Sequence, residues 1–390
     1  MNKEYNELCT CWQDIEWPKI EYIGIFTNVC GGKGDVAACG KVIMILLDNI
    51  PNLVEVNWVL TRTHIEPLMF VLSSYHNKIT LYKNTDRVQL DLLLDGPAVS
   101  SWDVEYIQHF FSPQLPKTKW KWRECGYNFF LGNPGSDLLN NEKTYEGFTY
   151  TMGLLPYTGV LINASLPSSI DLNIKIPDNY SINFGYCHRE ESRYRFVDAV
   201  CMHEQTKDIC IVFNRQGEFV TVNAEEFISK IEYADDIGSI TVQDETQNVS
   251  TKKKGKRHLL IIMKLQYSHE EMITLMRLSE RCLVTGNNSA IECWSVMNKN
   301  NSLFMYESIN HITKHFLDQQ ISIADEILGN YLKMSNETDI NREIYRDLLQ
   351  NNNISLSVLN FCNKIKFEYD FTPYVLNSLK RHAYLNNVNI

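Results

Sequence analysis

The chain has 390 residues, 44% hydrophobic and 22% charged, with a formal net charge of −10. These values exclude a globally disordered chain and argue against nonspecific nucleic-acid binding through a large basic face. The length exceeds the roughly 250 to 300 residues at which one hydrophobic core usually stops growing, so two domains are expected.

After an aromatic arm with Trp12, Trp17 and Pro18, strand and helix signals alternate, the pattern of a parallel sheet covered by helices. Residues 22–27 read as a buried strand that enters a glycine-rich turn, and 36–48 as a mostly apolar helix. A strand over 54–60, a helix near 65–75 and a short strand over 79–82 complete a Rossmann-like beginning. From 90 to about 173 the pattern is irregular and rich in aromatics: Trp102, Phe110, Phe111, Trp120, Trp122, Tyr127, Phe129 and Phe130, with the turn Gly132-Asn133-Pro134-Gly135. Such a stretch finishes the first domain. Its aromatics either pack a core, their usual task, or shape an acceptor pocket.

A second alternating series starts near Tyr180. Strands are expected over 181–186, 209–213, 239–242, 259–263, 282–285 and 303–307, with helices over 192–204, 224–232 and 268–278 and from Ser289. Ser268-His269-Glu270-Glu271 has the SxxE form of a capping box. Between two of these strands, 244–256 reads as a polar, flexible, solvated loop, and its run Lys252-Lys253-Lys254-Gly255-Lys256-Arg257 offers a phosphate-binding patch as the alternative. The tail from about 323 to 385 is mainly helical, with helical patterns at 339–349 and 373–384. Two open α/β domains, 1–175 and 176–390, are therefore expected.

Eleven cysteines are scattered without the framework of a small secreted domain, which fits a reducing compartment. Cys9 and Cys11 are one residue apart, and no CxxC pair or second Cys/His cluster completes a zinc site, so no metal site is expected. The first seven residues lack the basic region and apolar core of a signal peptide, and no apolar run approaches the roughly 20 residues that cross a bilayer. The expectation is a cytoplasmic protein without a membrane span; export by a system that reads uncleaved signals, as for a bacterial effector delivered into a host cytosol, would leave the same pattern.

Two strand-to-helix turns carry the chemistry. In the first, Gly31-Gly32-Lys33-Gly34-Asp35, neither GxGxxG nor GxxxxGK[ST] is present, which disfavours a dinucleotide-binding dehydrogenase and a P-loop NTPase. Asp35 would repel a phosphate. It either caps the following helix or faces a cleft as a general base for an acceptor, with Gly32 and Gly34 making room. In the second, Gly286-Asn287-Asn288-Ser289 followed by Glu292 gives a GxxSxxE spacing. Amides at 288–290 can hold a diphosphate, the Ser289 hydroxyl can add a donor, and Glu292 can accept both hydroxyls of a ribose; the bland reading is an ordinary helix cap with a solvated glutamate. After the strand that ends at Tyr186, Arg189 or Arg193 can neutralise a leaving diphosphate or sit in surface salt bridges, and His188 alone is no catalytic signal.

The arrangement resembles the GT-B glycosyltransferases, two facing Rossmann-like domains with the acceptor on the first and a nucleotide-sugar donor on the second. The first turn looks most like the opening of the bacterial protein-arginine rhamnosyltransferases, where a strand ends in a Gly-Asp pair before a small-residue helix with a cysteine. Lipopolysaccharide heptosyltransferases open similarly. In both, that aspartate is regarded as catalytic, which points to Asp35. The segment 282–307 is similar to the donor-binding strand, turn and helix of that fold, with the MurG-type Gly-x-x-Thr/Ser-x-x-Glu spacing, which carries donor contacts over to Gly286, Ser289 and Glu292, with Asn287, Asn288, Tyr186 and Arg189 beside them. The chain departs from the rhamnosyltransferase pattern at Gly31 and Gly32, where a second acidic residue is usual, and at Asn287 and Asn288, where a Glu-Asp pair is usual.

The resemblance implies an inverting, metal-independent glycosyltransferase that uses a nucleotide-diphosphate sugar as donor substrate and needs no cofactor. The acceptor is open among protein, lipid and saccharide, a protein side chain included, and no nucleic-acid partner is expected. The absence of a DxD triplet agrees with metal independence. A sugar-nucleotide epimerase on the same architecture is the alternative enzyme, and a noncatalytic nucleotide-sugar-binding protein the alternative from another class.

Overall fold

A computed structural model describes residues 12–27, 34–60, 66–82, 90–95, 119–123, 147–151, 154, 159–215, 223–231, 236–264, 266–337 and 341–385. The chain divides into two units: residues 1–166 with 366–390, and residues 167–365.

The first unit is built on strands β1 (Tyr22–Thr27), β2 (Glu55–Leu60), β3 (Ile79–Tyr82), β4 (Leu92–Asp95), β5 (Lys119–Arg123) and β6 (Gly147–Thr151), with helix α1 (Gly34–Asn49) after β1. The strand order is β3-β2-β1-β4-β5-β6, every neighbouring pair parallel. That is the doubly wound Rossmann order, and it reverses between β1 and β4. Alternation explains the packing: Ile23 and Ile25 of β1 and Val56 and Trp58 of β2 share a core with Val42, Ile43 and Leu46 of α1. The last helix of the chain, Thr372–Leu385, closes this core with Val375, Leu379 and Ala383, preceded by Phe371.

Three features correct the reading from sequence. The helix expected over 65–75 is a pair of 3-10 turns, Pro67–Phe70 and Ser73–Lys78, tied together by His76 Nε2 at 3.2 Å from the Leu68 carbonyl and 2.9 Å from that of Val71. Among the described residues, the stretch read as irregular carries three strands, β4 to β6; Trp102, Phe110, Phe111, Tyr127, Phe129, Phe130 and the turn at 132–135 lie outside the described residues. The end of the chain packs with the first sheet, so the second unit is not 176–390 but 167–365.

The second unit contains β7 (Tyr180–Cys187), α2 (Glu190–His203), β8 (Asp208–Arg215), α3 (Ala224–Ser229), β9 (Ile237–Gln243), β10 (Asn248–Lys252), β11 (Arg257–Lys264), α4 (His269–Leu278), β12 (Arg281–Thr285), α5 (Asn287–Val296) and β13 (Leu303–Glu307). Helices α6 (His311–Ile323), α7 (Glu326–Met334), α8 (Arg342–Leu349) and α9 (Ile354–Glu368) follow, and α10 is the closing helix Thr372–Leu385. The sheet order is β10-β9-β11-β8-β7-β12-β13, parallel except where β10 meets β9. The order reverses between β7 and β12. Ser268 and Glu271 form the expected capping box of α4, a purely local feature that sequence shows directly. Trp294 of α5 anchors the helical layer, its ring 5.8 Å from Phe304, 5.7 Å from Phe316 and 5.3 Å from Phe361. The loop expected over 244–256 instead holds β10, an edge strand with almost no apolar residues to announce it.

Each unit is a Rossmann-like α/β sheet, and the C-terminal region that follows β13 is helical.

Candidate functional site

In an open parallel sheet, ligands bind outside the carboxyl ends of the strands at the point where strand order reverses. In the first unit that point is the end of β1. There Thr27 is buried, its Oγ1 donating to Cys39 Sγ at 2.9 Å and accepting from Trp58 Nε1 at 2.9 Å, which fastens β1, α1 and β2 together. Asp35 is the second residue of α1 and only 3% exposed, a carboxylate at the positive end of the helix dipole. Gly34 is exposed beside it, and Gly32 lies outside the described residues.

In the second unit the point of reversal joins β7 and β12. Strand β12 runs into Gly286, whose φ of 78° is open to glycine and strained for other residues. Among the described residues, no atom lies within 4 Å of where a Cβ would stand. The helix begins at Asn287, two residues before the expected Ser289, because Gly286 itself is the cap residue. Asn287, Asn288 and Ser289 are half-buried in its first turn, and Asn287 Oδ1 accepts from the Tyr306 hydroxyl at 3.3 Å. Ser289 and Glu292, three residues apart, share one side of the helix. Glu292 is 5% exposed, and His269 Nε2 at the start of α4 lies 3.2 Å from its Oε1. Tyr186 stands at the end of the neighbouring strand; burial first, then the Glu292 and Glu307 carboxylates, push its phenol up to about 12, so it is a hydrogen-bond donor at neutral pH.

The second helix N-terminus at this point, that of α2, is filled from within the protein. Glu307, the last residue of β13 and 2% exposed, accepts the backbone amides of His188 at 2.7 Å and Arg189 at 2.8 Å. A carboxylate there takes the place an external anion would take. Arg189 is exposed and its guanidinium donates to the Ile309 carbonyl at 2.9 Å. Arg193 is fully buried beside Cys187, whose thiol burial and Glu307 push up to about 12 against the opposing Arg193 charge. The structure thus gathers Gly286, Asn287, Asn288, Ser289, Glu292 and Tyr186 at one end of the second sheet and gives the two arginines partners within the fold.

Sequence reasoning missed Glu307 and His269. Glu307 ends an apolar strand and finds its partners more than a hundred positions earlier, and His269 was only the spacer of a capping box; neither has a local signal. Among the described residues, no group of three or more His, Cys, Asp or Glu side chains is placed to hold a metal ion. Also among them, no helix is long and apolar enough to cross a membrane.

No protein-family model matches the chain, and no curated protein matches it. Solved structures similar to it in fold include an α-glucosyltransferase in complex with UDP and a 13-mer DNA, at 10% identity and TM-score 0.47, covering 95% of this chain and 100% of that one. Another is the calicheamicin glycosyltransferase CalG4, at 10% identity and TM-score 0.47, covering 96% and 100%. A third comes from a structural study of EarP-mediated arginine glycosylation of translation elongation factor EF-P, at 10% identity and TM-score 0.45, covering 94% and 99%.

Proposed function

We propose that the protein is a glycosyltransferase whose donor, a nucleotide-diphosphate sugar, binds at the N-terminus of α5. The observation that carries this reading is the contrast between two helix N-termini at one reversal point. That of α2 is neutralised by the Glu307 carboxylate, whereas that of α5 starts at Gly286, with no described atom within 4 Å of where a Cβ would stand. A diphosphate is favoured by the second and repelled by the first. Glu292, held by His269, accepts the ribose hydroxyls, and Ser289 and Tyr186 donate to the diphosphate or the sugar. Asp35 serves as general base: it takes the proton of an acceptor hydroxyl or nitrogen while that atom bonds to the anomeric carbon and the nucleoside diphosphate leaves. Direct displacement of this kind inverts the anomeric centre, and we infer that it proceeds without a metal.

The UDP-bound α-glucosyltransferase and the arginine glycosyltransferase among similar folds support a nucleotide-sugar donor and admit a protein acceptor, without choosing either. The test is a panel of nucleotide sugars, with binding and hydrolysis followed for wild type, Asp35→Ala and Glu292→Gln. Donor binding lost in Glu292→Gln, together with transfer lost but binding kept in Asp35→Ala, supports the reading. Full transfer by Asp35→Ala removes the base; absence of binding by any nucleotide sugar removes the function.

A further inference from the structure

The edge of the second sheet carries a surface unrelated to the donor turn. β10 is the outermost strand, and among the described residues no strand pairs with its outer side. Its side chains Asn248, Ser250, Thr251 and Lys252 are exposed. Lys252 opens a cluster that continues with Lys253, Lys254 and Lys256, all exposed and none in an ion pair among the described residues. Arg257 does not belong to it: its Nε binds Asp236 Oδ2 at 3.0 Å.

The lysine loop is held in place. Lys253 N donates to Gly238 O at 2.9 Å, Gly255 N to Ile237 O at 3.2 Å and Lys256 N to Asp236 O at 3.1 Å. A Cβ on Gly255 would overlap the backbone of Asp236 and Ile237, and one on Gly238 would overlap the Gly255 carbonyl. Two glycines thus let the loop lie flat on the start of β9, so the four ammonium groups leave from a fixed backbone. Like charges crowded on a fixed loop, in a chain of net charge −10, are a built positive feature in a negative field.

We propose that β10 and the lysine loop form a docking surface for an extended acidic peptide segment of a partner protein. The free strand edge supplies main-chain hydrogen bonds to an added strand, and the lysines meet its carboxylates. Nucleic acid fits less well, because residues 248–257 contain no aromatic ring for base stacking. Because β10 runs antiparallel to β9, the lysines lie at the amino end of the sheet, opposite the end that carries Gly286. The surface is therefore a partner site apart from the donor turn.

The test uses the full chain and fluorescence polarisation with three probes: a labelled peptide alternating Glu and Val, a peptide of equal charge with Pro in place of Val, and oligothymidylate. The alternating peptide is expected to bind and to weaken as salt rises. The variant Lys252→Gln/Lys253→Gln/Lys254→Gln/Lys256→Gln, all at exposed positions, is expected to lose about tenfold or more in affinity. Gly255→Ala keeps every lysine but displaces the loop, and is expected to lose affinity as well. Unchanged binding by the quadruple variant overturns the proposal. Equal binding of the Pro peptide overturns strand addition, and tighter binding of oligothymidylate assigns the surface to nucleic acid instead.

Discussion

Arg281 Nε donates to His203 Nδ1 at 2.7 Å, deep at the end of the second sheet that faces away from the donor turn. The same guanidinium reaches Glu204 Oε2 at 3.1 Å and Ser181 Oγ at 3.1 Å, while Glu204 Oε1 accepts the amides of Thr206 and Lys207, each at 3.0 Å. A nitrogen that accepts from Arg281 carries no proton. Burial, and then the Arg281 charge, accordingly hold His203 at about 3. The unfolded chain binds a proton on this residue below about pH 6.5, and the folded one refuses it until about pH 3. Stability therefore falls as pH drops through this window, by at most about 1.4 kcal/mol per pH unit. Burial raises Glu204, but its backbone hydrogen bonds and Arg281 outweigh it and hold the carboxyl at about 2, which adds a second loss below its ordinary value of 4.5. Urea unfolding between pH 7.5 and 5 measures the first effect. His203→Gln, which keeps an acceptor and does not titrate, is expected to flatten the slope by about one proton; equal slopes in the two proteins would exclude His203 as the cause.

The Glu307 carboxylate at the start of α2 gives a prediction of a different kind. In Glu307→Ala the amides of His188 and Arg189 lose a charged acceptor, a cost of about 1.5–3 kcal/mol. The same change creates an anion site, because the helix end is freed of its internal carboxylate. Inorganic phosphate is thus expected to raise the melting temperature of the variant more than that of the wild type. A variant that is destabilised but no more sensitive to phosphate would show that Glu307 acts only as a tether.

Gly286 separates a backbone effect from a binding effect. Alanine at φ 78° costs about 1–2 kcal/mol of stability through left-handed strain, with no clash against a described residue to add to it. If the donor diphosphate sits at the N-terminus of α5, the new methyl group also stands against it. Calorimetry with the best-binding nucleotide is then expected to show a loss of affinity of about tenfold, or about 1.4 kcal/mol, in a protein that is still folded. Unchanged affinity would move the diphosphate elsewhere.

What the sequence made legible was whatever is encoded within a few neighbouring residues. The apolar runs of β7, β12 and β13, each bounded by polar or turn residues, gave the strands of the second unit, and Ser268 with Glu271 gave a helix start. The turn at Gly286 was legible because only glycine suits such a backbone. Strand β5, Lys119-Trp120-Lys121-Trp122-Arg123, alternates as a strand should, yet it was lost among aromatics that masked the period. β10 is polar because it is an edge, so hydrophobic pattern had nothing to report. The contacts of Glu307 and His269 arise only when distant segments meet, and no local pattern encodes them.

The same limit concealed the placement of α10, and a truncation tests it. Helix α10 reads as an ordinary amphipathic tail, and its sequence is silent about which sheet it covers. In the structure Phe371, Val375, Leu379 and Ala383 complete the core of the first unit, and Lys380 Nζ donates to the carbonyls of Trp12 at 3.0 Å and Ile15 at 2.6 Å, binding the N-terminal arm to the C-terminal helix. Burying a Val, Leu or Phe side chain is worth about 1.5–3 kcal/mol, so loss of the three larger ones removes about 6 kcal/mol, within reach of the whole stability of a domain. A chain ending at Asp370 is therefore expected to lose the first unit and keep the second. Limited proteolysis followed by mass spectrometry should then degrade the region before about residue 166 and leave a resistant fragment near 167–365. Equal resistance of the first unit in full-length and truncated chains would show that α10 is dispensable to that core.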